Sequence, residues 1–174
     1  TLEQKYPLFS SLYFEQLIGV KRAPQGFENY VKGFISFPEV RQLYDTCTLV
    51  FGDLNDYHNE PETAFKYYRH YFPERPIPQV TTYISEYTIG ALIYGEDQLA
   101  VGLDFFLGAD YPYAKYNPGN PNFSNYLIRS FNPDHMVMKT LQPLVEDLAG
   151  PEPGSRMLDI MINEGKKLYL MDLL

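Results

Sequence analysis

Three prolines, Pro73, Pro76 and Pro78, divide the chain into two kinds of pattern. Proline has no amide donor and a fixed φ, so no regular helix runs through such a cluster. Before it, apolar residues recur at helical spacing in four segments separated by proline and glycine breaks: residues 9–20, 27–37, 38–51 with Pro38 in the first turn, and 62–72. After it the period becomes extended. Residues 80–84, 90–94 and 98–106 are rich in branched and aromatic side chains, and the connections 85–89 and 95–97 are short. A parallel crossover needs a dozen or more residues, so these connections predict antiparallel neighbours in a small meander of three or four strands. The expected fold class is α+β, as one domain over 1–174: a helical part to residue 75, then a sheet followed by C-terminal helices.

The 174 residues, 45% of them hydrophobic, suffice for one packed core. A net charge of -8 speaks against nucleic acid, whose phosphates require clustered lysine and arginine. Partners should be neutral or basic. Cys47 is the only cysteine, so no internal disulfide forms. Val40, Leu43, Tyr44, Cys47, Val50 and Phe51 recur at helical spacing, which reads Cys47 as a core thiol and not a ligand. No apolar stretch approaches the ~20 residues of a membrane span. The chain begins at Thr1 and finishes on an apolar helical pattern, Leu168, Leu170, Met171, Leu173 and Leu174, which reads as a fragment of a longer protein; any leader or lipid-bearing cysteine would lie upstream.

The loop 108–121 carries Tyr111, Tyr113 and Tyr116 among three prolines. Loops of this length are often functional, and tyrosine joins apolar area to a polar tip, so these three are binding-loop candidates. Packing of the tyrosines onto their own domain is the structural alternative. Helices are expected over 123–130, then from the Asn132 cap with Pro133 behind it, broken or kinked at Pro143, and finally from about Ser155. On the last, Met157, Ile160, Met161, Leu168 and Met171 mark the stripe expected to face inward. Glu164 falls on it, as a carboxylate in need of a partner, and Gly165 beside it suggests close packing against another element. His70 reads as a rim residue and His58 as solvated.

The short helix 134–142 places His135, Met136 and Lys139 where a zinc peptidase of the glutamate-ligand type has its first histidine, its glutamate base and its second histidine. Asn163-Glu164-Gly165 stands where such an enzyme carries its later glutamate. Methionine takes no proton from water, and a lysine ammonium offers zinc no lone pair. His135, Lys139 and Glu164 therefore form the candidate site of a degenerate zincin-like frame, with no catalytic residue, no metal ligand set and no cofactor assigned.

Three blocks, Tyr68-Arg69-His70-Tyr71-Phe72-Pro73, the run from Leu99 to Asp110, and the run from Met161 to Asp172, in this order and at these spacings, resemble the gliding-motility-associated lipoprotein B family. The resemblance covers most of the chain from about Tyr67 and, more loosely, the helices before it. It implies a membrane-anchored, periplasm-facing envelope lipoprotein, working with other proteins of the gliding or secretion machinery, and it carries the distant similarity to zinc peptidases. The function expected is therefore non-catalytic protein binding. The alternative is a metal-dependent hydrolase in which Asp134 or Asp104 joins His135 and Glu164 as third ligand. Carbohydrate or peptide binding on the tyrosines ranks below protein binding, because the chain has no tryptophan.

Overall fold

In the computed structural model, residues 2–18, 26–57, 59–96, 98–116 and 118–174 are described. His58 and the end of the first expected helix at Val20 lie outside them. Two short helices, α1 (Leu2–Lys5) and α2 (Pro7–Ser11), lead into a π-helical stretch, Leu12–Leu17. α3 (Phe27–Ser36) and α4 (Pro38–Phe51) follow, then α5 (Asn59–Tyr71). The strands β1 (Gln79–Tyr83), β2 (Ala91–Tyr94) and β3 (Gln98–Gly102) come next, then the one-turn α6 (Tyr113–Tyr116) and the long helices α7 (Met136–Ala149) and α8 (Met157–Leu173).

The architecture is α+β, but the sheet is not a meander. Its order is β1-β3-β2, with β3 parallel to β1 and antiparallel to β2. The short connections do reverse the chain at each step; what they leave open is which strands touch. β1 and β2 stand one strand apart, a gap of roughly 10 Å that a seven-residue link from Ile84 to Gly90 spans with ease. That link arches over the end of β3. Gly102 N–H donates to Gly90 O at 2.8 Å, and a Cβ on Gly102 would stand 2.7 Å from Ile89 O, so only glycine fits under the arch.

Alternation along the strands sorts side chains onto two faces. Thr81, Tyr83, Leu92, Tyr94 and Ala100 face the N-terminal segment, where Phe9 and Tyr13 pack on Tyr83 and Tyr94. Ile93 points to the opposite side, where α5 and α7 meet through Ala64, Tyr68, Leu141 and Leu144. The largest cluster joins Leu43, Cys47 and Phe51 of α4 to Val101, Phe105, Tyr113, Phe123 and Phe131. Cys47 belongs to this core, as its spacing predicts, and burial pushes its thiol up to about 12.

Two further expectations change. Residues 123–130 form no helix; two 3-10 turns, Pro121–Phe123 and Ile128–Ser130, stand there instead, with Tyr126 exposed between them. α7 runs through Pro143 to Ala149 and does not stop at Gln142. Pro143 deprives only the Lys139 carbonyl of its intrahelical donor, and the buried Leu141, Leu144 and Val145 on either side hold the helix to the core. Among the described residues, no helix is long and apolar enough to cross a membrane.

Candidate functional site

Asn132 caps the turn Pro133–His135 that leads into α7, its Oδ1 accepting His135 N–H at 3.2 Å. The same oxygen lies 2.8 Å from His135 Nδ1. An amide oxygen only accepts, so Nδ1 carries the proton and the imidazole is held against its own cap. Lys139, one turn on, lines a cleft of about 320 Å³ with Ala91, Phe105, Gln142 and Glu146, a cleft that His135 does not line.

Glu164 is not on the inward face of α8. Its side chain is 55% exposed, and Oε1 accepts from Lys167 Nζ at 2.7 Å, so a lysine does satisfy it, but at the surface. The residue turned inward is its neighbour Asn163, 1% exposed. Asp134 is exposed, whereas Asp104 is fully buried with both oxygens occupied. Among the described residues, no three His, Cys, Asp or Glu side chains converge as metal ligands would.

The tyrosines pack mainly on one another. Tyr113, buried, accepts Leu107 N–H at 2.9 Å and stacks on Phe123. Tyr111 and Tyr116 stack at 14°, and the Tyr111 and Tyr87 hydroxyls are 2.6 Å apart. Burial pushes the Tyr111 hydroxyl up to about 12. Of the three candidates, Tyr116 is the exposed one.

Residues 1–174 match the family model described as gliding motility protein GldB. The chain belongs to this family. No curated protein matches it, and no solved structure does. As a member of the GldB lipoprotein family, it is a membrane-anchored protein of the cell envelope associated with gliding motility.

Two features of this GldB-family chain differ from what its sequence suggests: the role of Asp104, which the sequence offers only as a possible metal ligand, and the way α8 is turned. The first is Asp104, which accepts Ser85 N–H at 2.8 Å, Ser85 Oγ–H at 2.9 Å and Tyr87 N–H at 2.7 Å. Burial pushes its carboxyl above the usual range while these three donors pull it down. It fastens the arch, in which Glu86 and Tyr87 both take left-handed φ values, 53° and 60°. Left-handed backbone is costly for such residues and persists where the surroundings enforce it. The signal was an aspartate inside the apolar run from Leu99 to Leu107.

The second is the orientation of α8. Its inward face carries Asp159, Asn163 and Lys167, with Leu170, Met171 and Leu174 only half buried. Met157, Leu158, Met161, Ile162, Leu168 and Tyr169 form one continuous exposed stripe; Leu168 is 73% exposed. Of the five residues expected to face inward, Met157, Met161 and Leu168 face out. Gly165 lies on the same outer side, where an added Cβ would meet nothing within 4 Å, so it serves no close packing among the described residues.

Proposed function

We propose that this GldB-family chain is a non-catalytic, periplasm-facing domain that works by binding another protein of the gliding or secretion machinery. The observation that carries the reading is the exposed apolar stripe of α8. A soluble monomer rarely leaves so many large apolar side chains together in water, and contiguous patches of this kind are typical of interaction surfaces. The net charge of -8 favours a neutral or basic partner. The peptidase alternative needs three protein ligands at one metal, whereas Glu164 is paired with Lys167 at the surface and His135 is held by Asn132.

The test is capture from crosslinked envelopes with the full-length lipidated protein, wild type against Met161→Glu/Leu168→Glu. Both positions are exposed, so the variant should keep its melting temperature and lose at least about tenfold of the captured partner, as expected when residues near the centre of an interface are lost. Undiminished capture sinks the assignment to α8. Stoichiometric zinc in protein purified without chelator would promote the hydrolase instead.

A further inference from the structure

β1 is an edge strand, and every second residue of an edge turns its N–H and C=O away from the sheet. Among the described residues, no backbone hydrogen bond pairs that outer side of Gln79–Tyr83. Edges of this kind are ordinarily guarded by lysine, proline or a bulge. Gln79-Val80-Thr81-Thr82-Tyr83 has no charge and no proline, and Gln79, Val80 and Thr82 are exposed.

Beside this edge, on the face bearing Val80 and Thr82, α5 and α7 stop short of β1 and leave an open cavity of about 390 Å³. Its walls are apolar, with Tyr57, Phe65, Val101, Met136 and Leu141 among them. Among the described residues, Glu62 is the acid on its lining, Glu60 and Asp134 line the adjoining hollow, and no lysine or arginine lines either.

We propose that the β1 edge and this cavity together form a docking site for an extended, basic segment of another protein. The segment pairs with β1 as a fourth strand. Its alternate side chains then fall on the same side as Val80 and Thr82, so that a bulky apolar residue enters the cavity while a flanking lysine or arginine meets Glu62. A fatty acid suits the site less well, because its carboxylate would approach Glu62 and its chain would leave the strand edge unpaired. The site is separate from the α8 stripe and does not rest on it.

The test uses the full-length protein and a fluorescent peptide of sequence KTLTFTK, which places Leu and Phe on one side and lysine at both ends. Saturable binding is expected, with slowed hydrogen exchange at the amides of residues 79–83. N-methylating the peptide's ladder amides, side chains unchanged, should weaken binding at least about tenfold, since two or more backbone hydrogen bonds are lost. Val80→Arg, on the exposed strand, should abolish binding without changing the circular dichroism spectrum. Glu62→Lys should weaken it about three- to tenfold, and more at low salt. Met161→Glu/Leu168→Glu should leave it unchanged, so failure here and failure of the α8 reading are distinguishable. Three results would overturn the proposal: no saturable binding, equal binding of the N-methylated peptide, or self-association abolished by Val80→Arg with no peptide bound, which would mean that the edge pairs two copies of this chain.

Discussion

Asp104→Ala is expected to destabilise the protein by about 3 kcal/mol or more, measured by chemical denaturation at pH 7. Three donors lose their acceptor at once, and each buried unsatisfied group costs about 1–3 kcal/mol. The loss reaches beyond the carboxylate. Without Asp104 the arch loses the acceptor that ties Ser85 and Tyr87 down, Glu86 and Tyr87 are freer to leave left-handed backbone, and the packing of the Tyr87 ring against Tyr111, Tyr113 and Phe123 is strained with them. Asp104→Asn keeps the volume but turns an amide N–H₂ or a single oxygen towards donors, so it should fall between wild type and alanine. The difference between wild type and Asp104→Asn also carries a pH signature. Because burial raises the folded carboxyl above its unfolded value, the folded state holds its proton more tightly than the unfolded state does. The advantage of aspartate over asparagine is therefore complete below the ordinary carboxylate range and declines as pH rises through the folded value. An advantage that grows with pH over that window would mean that the three donors outweigh burial and that the shift runs the other way.

Gly102→Ala is the second large effect, expected at about 1–3 kcal/mol, the usual range for overpacking a well-filled site. The added Cβ would stand 2.7 Å from Ile89 O and 3.1 Å from Ser85 Cβ, and a backbone oxygen inside the arch cannot swing away as a side-chain end can. Relief requires lifting the arch, which lengthens the Gly102–Gly90 hydrogen bond and pulls Ser85 from Asp104. The contrast is Gly165→Ala in α8. There a new methyl meets open space and glycine has only its helix penalty to lose, so a gain of about 0.5–1 kcal/mol is expected. Equal and opposite melting shifts are not required. A Gly102→Ala protein as stable as wild type would show that the arch does not close tightly on β3.

What the sequence made legible follows from where local and global signals agree. α4 appears at its expected bounds because Pro38 starts it and Val40, Leu43, Cys47 and Phe51 all turn inward. The strands stand within a few residues of their expected positions because branched and aromatic side chains cluster there. Their order was hidden: a short link fixes chain direction, while the Gly102 and Asp104 contacts that let β3 sit between β1 and β2 depend on residues far apart in sequence. α8 misled for a different reason. Spacing locates an apolar stripe but does not say on which side of the helix the rest of the fold lies. Here the most apolar face looks outward, which carried Glu164 away from His135 and Lys139. The tyrosines of the 108–121 loop were visible as a group, but their mutual stacking was not, because it needs Tyr87 and Phe123 from neighbouring segments.

The central claim, that the protein acts through the outer face of α8, is tested most directly by placing a photoreactive side chain at position 161 in the full-length protein in living cells, with position 66 of α5 as an exposed control. Crosslinking at 161 to one recurrent envelope protein, absent at 66, is the expected result. Equal yields of the same adducts from both positions, or none from 161 at native levels of the protein, would contradict it.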